Sequence, residues 1–391
     1  MATKRGIEVS VAIGEAVRLA NADVVAAYPI TPQTHIVEHL AELVANGELD
    51  AAYIPVESEH SAMSACVGAA TVGARAFTAT AGQGLELMHE VLYVASSMRL
   101  PIVMTVANRA LSAPLSVWGD HSDVMAVRDT GWIQIFAENG QEVVDNVLCA
   151  FRIGEDRRVL LPVMIHLDGF HLSHMIEPIT FPEQDEVNQF LPPNDYPLPL
   201  DPNRPVTMGD FGPPFIYSET KWAQEVNLRA AKEVVLQVWK EFGDTFGRYY
   251  SPVECYRCDN CRVLLLTMGS FSETAMTAID KMKSEGKDIG LMRLRLWRPF
   301  PFEEIRSLLK DVEVLIVLDR ALSFGGPGGP VCSEIKAALY QQDRRPKVIG
   351  FVGGLGGRDI SVAGFEDIVS RGVEISKTGS SREFEIFGVR E

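Results

Sequence analysis

The chain has 391 residues, and its 36 Lys and Arg against 52 Asp and Glu leave a net charge of −16 and a pI near 5.0. Charge of this sign argues against nucleic acid or an anionic membrane as a partner, because such binding starts from clustered cations. The 47% hydrophobic share supports a sizeable core, no apolar run approaches the ~18–20 residues that span a bilayer, and six cysteines are too few for a disulfide scaffold. Lys4, Arg5, Glu8, Glu15 and Arg18 interrupt the start, so a cytoplasmic protein without a secretory leader is expected.

In chain order, Val9 to Ala20 reads as a helix and Val24 to Tyr28 as a buried strand ending at Pro29. Gln33 to Val44 is helical, Tyr53 to Val56 a strand, and Glu59 to Val72 a small-residue helix. Phe77 to Thr80 is a strand stopped by Gly82-Gln83-Gly84, and Leu85 to Ser97 a helix. Pro101 to Ala107 is a strand, Glu142 to Ile153 a helix, and Leu160 to Leu167 a last strand. Short continuous apolar strands between helices predict α/β architecture with a mostly parallel sheet covered on both faces.

Composition then shifts. Between Pro178 and Pro214, 37 residues hold 10 of the chain's 22 prolines. Proline removes backbone donors and blocks helix, so this stretch is an extended arm. A disordered tether and an ordered strap around a partner both fit, and Phe190, Leu191, Tyr196, Leu198 and Leu200 favour the strap by offering apolar anchors. Trp222 to Phe242 follows as a long amphipathic helix, and from Val263 four further strand–helix pairs predict a second α/β domain. The expected division is 1–175, an arm with its connecting helix over 176–250, and 251–391.

Five places could carry chemistry, each with a plainer reading beside it. Thr31, between Pro29 and Pro32 at the end of a strand, sits where open α/β sheets bind ligands, or it belongs to a stiff turn. Glu59, in Glu57-Ser58-Glu59-His60, is either a helix-start carboxylate or a buried acid able to share a proton with a ligand nitrogen. Arg109 follows a buried strand and needs an anion: a small carboxylate, or Asp120 or Asp123. The glycine runs at 325–329 and 353–357 match no phosphate-binding pattern and read as tight turns. Cys255, Cys258 and Cys261 begin a ferredoxin-like run without its closing cysteine, so they are reduced thiols or part of a metal or cluster site. His171 and His174 have the spacing of a metal pair, but no third partner lies near them in sequence, and they are read as loop residues.

These landmarks together resemble one family over nearly the whole chain. YPITPQT at 28–34, VESEHSA at 56–62, TATAGQGLELM at 78–88 and NRALSAPLSVWGDHSDVM at 108–125 are followed by FLPPNDYPLPLDP at 190–202, LDRALSFGGPGGP at 318–330 and GGLGGRD at 353–359. In order and spacing they are similar to the alpha subunit of the 2-oxoacid:acceptor oxidoreductases, of which pyruvate:ferredoxin oxidoreductase is the best known.

The resemblance implies two open parallel-sheet domains, a thiamine-diphosphate pyrimidine-binding domain and a transketolase C-terminal-like domain, joined by the Pro-rich arm and long helix. It implies an enzyme whose active site is split between subunits. A beta subunit would bind the diphosphate and Mg2+ and carry a 4Fe–4S cluster, and gamma and delta-type subunits would complete the complex. No GDG motif of the diphosphate–magnesium type occurs in this chain. Glu59 falls on the glutamate that sets the tautomer of the cofactor's aminopyrimidine, with Tyr28, Pro29 and Gln83 beside the cofactor. Arg109 falls on the arginine that pairs with the substrate carboxylate, with Thr31 and Ser112 beside the substrate. The implied reaction is oxidative decarboxylation of a 2-oxoacid to acyl-coenzyme A, with single electrons passing to ferredoxin or a similar acceptor. One cation opposite a neutral threonine suits a monocarboxylate, pyruvate first, with 2-oxoisovalerate or phenylglyoxylate as alternatives, and Leu115 and Trp118 are candidates for the pocket wall. A non-catalytic scaffold paralogue is the alternative of another class. The cysteine run at 255–261 departs from the family pattern.

Overall fold

The computed structural model describes residues 3–390. Strand β1 (Thr3–Glu8) leads into α1 (Val9–Leu19), β2 (Val24–Ala27), α2 (Thr34–Ala45), β3 (Ala52–Pro55) and α3 (Glu59–Thr71). Next come β4 (Ala76–Thr80), α4 (Gly82–Leu87), α5 (His89–Ser97), β5 (Ile102–Asn108), α6 (Ser122–Ala126) and β6 (Ile133–Phe136). Helix α7 (Gly140–Gly154), β7 (Val163–Asp168), β8 (Ile176–Phe181), α8 (Gln184–Phe190) and α9 (Pro214–Phe246) follow. The remainder holds β9 (Val253–Tyr256), β10 (Val263–Thr267), α10 (Phe271–Ser284), β11 (Gly290–Leu294), β12 (Leu296–Arg298) and α11 (Phe302–Leu309). It ends with β13 (Val314–Asp319), α12 (Pro330–Leu339), β14 (Lys347–Val352), α13 (Val362–Thr378) and β15 (Glu385–Ile386).

Two parallel-rich sheets confirm the α/β expectation. The first runs β12-β6-β7-β5-β4-β2-β3, the second β15-β14-β13-β10-β11-β9. Strands β4, β5 and β7 are buried at every position, as continuous apolar runs must be when helices cover both faces of a parallel sheet. Ser58 accepts a hydrogen bond from the Ser61 amide at 3.3 Å and so starts α3, and Asn139 does the same for α7 through Glu142 at 3.0 Å. Helix α9 ends at Gly247, whose φ of 76° is the left-handed stop that glycine supplies.

The structure differs from the sequence reading in several places. The stretch read as one helix over Leu85–Ser97 is two helices, α4 and α5, meeting at Met88. The long helix begins at Pro214 rather than Trp222; its exposed first half lacks the apolar face on which the periodicity reading relied, while its second half buries Val235, Trp239 and Phe242. Strand β12 leaves the second half of the chain to pair antiparallel with β6 on the edge of the first sheet, Leu296 opposite Ile135. The arm contains β8, which pairs antiparallel with β1, and the short α8. Its following residues strap the chain's own first sheet domain: Leu200 donates its amide to Thr71 O at 2.8 Å, Asn194 caps Gly73 O at 3.0 Å, and Phe190 and Leu191 are buried.

An ionic network joins the two sheet domains. Arg295 pairs with Glu142 at 2.5 Å and Glu254 at 2.7 Å, and Arg293 pairs with Glu138 and Glu254. Arg295 is 3% exposed, so each cation here is held by carboxylates from both sides of the junction.

Candidate active site

The carboxyl ends of β2, β4 and β5 converge on one edge of the first sheet. Tyr28, Pro29 and Thr31 follow β2, Gln83 and Gly84 follow β4, and Arg109 follows β5. Tyr28, Pro29 and Thr31 are exposed, whereas Glu59 and Arg109 are 5% and 6% exposed. Charged groups thus lie at the bottom of the edge and neutral ones at its rim.

Arg109 is held by neutral acceptors. Nη1 donates to the backbone carbonyl of Thr31 at 2.7 Å, and Nη2 donates to Gln83 Oε1. Neither aspartate weighed as its salt-bridge partner takes that role. Asp123 accepts the Arg109 amide at 3.0 Å, together with Gly82 N at 3.0 Å, Asn108 Nδ2 at 2.9 Å and Val124 N at 2.7 Å. Asp120 accepts Ser122 N at 2.6 Å and Gly356 N at 3.1 Å. Among the described residues no ion pair involves the Arg109 guanidinium. Burial lowers its pKa, against the pull of Asp123 and Glu59.

Glu59, first residue of α3, lies against Gly84: a Cβ there would stand 2.5 Å from Glu59 Oε1 and 2.5 Å from Thr80 Oγ1. Among the described residues nothing hydrogen-bonds the Glu59 carboxylate, and Thr80 Oγ1 and Gln33 Oε1 are buried without partners. A buried carboxylate left open, beside orphan polar atoms over a glycine helix, fits a flat ligand with ring nitrogens such as an aminopyrimidine. Gly82 has φ +45, and a Cβ on it would meet Arg109 Nε at 2.3 Å. The Gly-Gln-Gly turn therefore lets both charged side chains approach.

The structure brings together Tyr28, Pro29, Thr31, Glu59, Gln83 and Arg109. Ser112 lies exposed farther along the loop, and none of the hydrogen bonds around Arg109 reaches it. Sequence reasoning left out Gln33, which donates to Tyr28 O at 2.7 Å and Ala79 O at 3.2 Å and so ties the β2 and β4 turns together. It also left out Glu86 and Asp123 as interacting acids. Burial and Asp123 push Glu86 up to about 7, and burial pushes Asp123 up to about 6. Gln33, Glu86 and Asp123 lie inside the motif blocks at 28–34, 78–88 and 108–125, which is where the sequence carried a signal for them.

The loop after Arg109 is clamped by the second sheet domain. Gly357 N donates to Gly119 O at 2.8 Å, Arg320 Nη2 donates to the same carbonyl at 3.0 Å, and His121 N donates to Arg320 O at 3.0 Å. Arg320 also pairs with Asp168 at 2.5 Å, and Asp168 contacts His121 Nε2 at 2.8 Å and accepts Ser270 Oγ at 2.6 Å. Burial works to raise the Asp168 carboxyl, yet Arg320 and His121 outweigh it and hold it well below the usual range. Trp118 packs its Cβ where a Cβ on Gly357 would lie, 2.3 Å away, so the 353–357 glycine run is a turn and close-approach loop. The 325–329 run has Gly329 against the buried Asp319 carboxylate, which accepts Val331 N and Cys332 N at the start of α12.

The exposed Cys255 and the half-buried Cys258 hydrogen-bond each other through their thiols. Cys258 Sγ also points to Leu291 O at 3.1 Å, and buried Cys261 Sγ lies 3.2 Å from Lys283 Nζ.

Two open, parallel-rich sheets, the first with turns gathered at its carboxyl edge, define a two-domain α/β protein with a candidate ligand-binding edge. The family model for the thiamine-diphosphate-binding part of pyruvate flavodoxin/ferredoxin oxidoreductase matches residues 15–240, and that for pyruvate:ferredoxin oxidoreductase core domain II matches 261–365. The chain belongs to the pyruvate:ferredoxin oxidoreductase family. It is 52% identical over 365 residues to pyruvate synthase subunit PorA of Methanocaldococcus jannaschii, covering 92% of each chain. It is 43% identical over 391 residues to ketoisovalerate oxidoreductase subunit VorA of Pyrococcus abyssi, covering 99% of this chain and 98% of that one. The 2-oxoglutarate:ferredoxin oxidoreductase of Magnetococcus marinus shares the fold at a TM-score of 0.74 and 18% identity, with 96% of this chain and 65% of that chain covered. Among the described residues no helix is long and apolar enough to cross a membrane.

Proposed function

We propose that this chain supplies the pyrimidine-gripping and carboxylate-binding half of an active site that oxidatively decarboxylates a 2-oxoacid, pyruvate first, to acyl-coenzyme A. The observation that carries the reading is Arg109: a buried guanidinium held in place by Thr31 and Gln83, with no carboxylate in an ion pair with it among the described residues. Such a cation is costly to bury unless an anion arrives, and a bound carboxylate is the small anion its planar donors suit.

Bound thiamine diphosphate would supply a carbanion-type nucleophile for the 2-oxo carbon and a sink for the electrons released by decarboxylation. Glu59 would accept or share the proton at the pyrimidine ring nitrogen, in a niche that its burial keeps dry. Tyr28, Pro29 and Gln83 would flank that ring, Gln83 also holding Arg109. Arg109 would fix the carboxylate that leaves as carbon dioxide, and the exposed Thr31 hydroxyl would bind the substrate from the rim; Ser112 is a further contact if the loop folds inward. The diphosphate, Mg2+ and 4Fe–4S clusters fall to beta, gamma and delta-type partner subunits, with ferredoxin or a similar acceptor taking the two electrons singly.

A single cation beside neutral Thr31 and Gln83 favours a monocarboxylate. A branched-chain 2-oxoacid is the second reading, supported by the VorA relative matching 99% of this chain. The test uses the assembled complex. Glu59→Gln should lower kcat by about a hundredfold or more with the complex intact, and full activity would sink the assignment. A panel of pyruvate, 2-oxoisovalerate and phenylglyoxylate, compared by kcat/KM, decides the substrate.

A further inference from the structure

Away from the chemistry just described, three side chains from three separate elements meet. Glu8 ends β1, His35 lies in the first turn of α2, and His174 lies in the turn after β7. One ligand atom from each lies within 4.8 Å of the other two. His35 Nδ1 is 2.7 Å from Glu8 Oε1, and the two imidazole rings are 4.8 Å apart between centroids. The spacing of His171 and His174 hinted at metal ligands. The fold makes only His174 a member and draws the other two partners from distant sequence.

We propose that Glu8, His35 and His174 bind one divalent first-row transition-metal ion of the zinc type, with water completing the coordination. Two imidazoles and one carboxylate form a donor set that suits Zn2+ and its neighbours, and three protein ligands leave a fourth position open. The ligands are held before any ion arrives. Val9 N bonds Met175 O at 3.0 Å and Ser10 N bonds Ser173 O at 3.0 Å, which locks the end of β1 to the turn carrying His174. Ser173, fully buried, accepts the Phe170 amide at 2.9 Å and contacts His174 Nδ1 at 2.7 Å, so the ring's orientation is set by a neighbour outside the ligand set.

The ion would tie β1, the turn leading out of Thr31 and the post-β7 turn into one unit. Phe170, whose ring lies tilted 4.6 Å from that of His174 and 5.9 Å from that of Trp118, connects that unit to the loop beyond Arg109. The proposal does not depend on the catalytic reading, since it concerns residues outside the Glu59–Arg109 site.

The full-length chain, stripped with chelator, is titrated with Zn2+ by calorimetry and with Co2+ by visible absorption. One equivalent should bind with a ligand-field spectrum, and Zn2+ should raise the unfolding midpoint, since an ion that binds only the folded state stabilises it by mass action. His35→Asn and His174→Asn should abolish both, and the near-isosteric Glu8→Gln should weaken binding by about tenfold or more. The same titration in Cys255→Ser/Cys258→Ser/Cys261→Ser should be unchanged. The proposal is overturned by absence of stoichiometric binding, by binding that survives both histidine changes, or by binding lost only with the thiols. Unshifted unfolding midpoints of the metal-free variants rule out misfolding as the cause of lost binding.

Discussion

Arg109 Nη1 donates to the backbone carbonyl of Thr31 at 2.7 Å, so the buried cation organises the very turn that presents the rim hydroxyl. Under the proposed function, substrate-binding and positioning roles would meet in this one side chain. Arg109→Ala should raise KM and lower kcat together in the assembled complex, because it removes the proposed carboxylate ligand and loosens the β2 turn. Loss of a charge-assisted contact worth roughly 1.5–3 kcal/mol corresponds to about a ten- to hundredfold fall in kcat/KM. Arg109→Lys should fall between, since a lysine cannot serve Thr31, Gln83 and a carboxylate from one planar group. Steady-state kinetics unchanged by both variants would remove Arg109 from the site.

The Gly-Gln-Gly turn separates the two halves of the site experimentally. Gly82→Ala puts a methyl 2.3 Å from Arg109 Nε at a residue with φ +45, so it should raise KM for the 2-oxoacid. Gly84→Ala puts a methyl 2.5 Å from Glu59 Oε1 and should instead weaken thiamine diphosphate binding, measured by cofactor titration of the complex. If both variants affect the same parameter, the assignment of opposite ends to cofactor and substrate is wrong.

Clamping of the 110–121 loop by the second sheet domain should matter for turnover at a distance. Gly357→Ala meets Trp118 Cβ at 2.3 Å with φ +77, and Arg320→Ala removes the donor to Gly119 O and leaves Asp168 without its arginine. Breaking a buried pair from one side costs about 3–5 kcal/mol, so Arg320→Ala should also lower the unfolding midpoint. Gly357→Ala should raise KM with a smaller change in stability. Calorimetric unfolding alongside kinetics tells the two apart, and wild-type KM in both variants would show that the clamp does not set the loop.

Glu86 gives a pH signature. Burial and Asp123 raise its folded pKa from 4.5 to about 7, so its protonated form is favoured in the native state. Its contribution to stability is complete below the unfolded value and is lost as pH rises through about 7. Glu86→Gln should flatten the decline in unfolding midpoint between pH 5 and pH 8. A slope identical to wild type would assign the dependence elsewhere.

Local chemistry in the chain determined much of the architecture. Apolar runs such as Ile102–Ala107 and Val163–Leu167 can be buried on both faces only in a parallel sheet. The motifs at 28–34, 56–62, 78–88 and 108–125, with those at 190–202, 318–330 and 353–359, carried the family resemblance, and with it Glu59, Arg109 and Thr31. Other features needed the tertiary structure, because they depend on residues far apart in sequence meeting in space. Periodicity offers no hint that β12 crosses to the edge of the first sheet, because pairing with β6 is settled by packing and not by Leu296–Arg298 alone. Arg109 follows a buried strand in either reading. That Asp123 takes its amide while Thr31 and Gln83, and no carboxylate among the described residues, hold its guanidinium was decided only where the chain folded back on itself. Likewise His174 became a candidate ligand only when β1 and α2 delivered Glu8 and His35 to it, since a set of metal donors is defined by distance, which sequence spacing fixes only within one element.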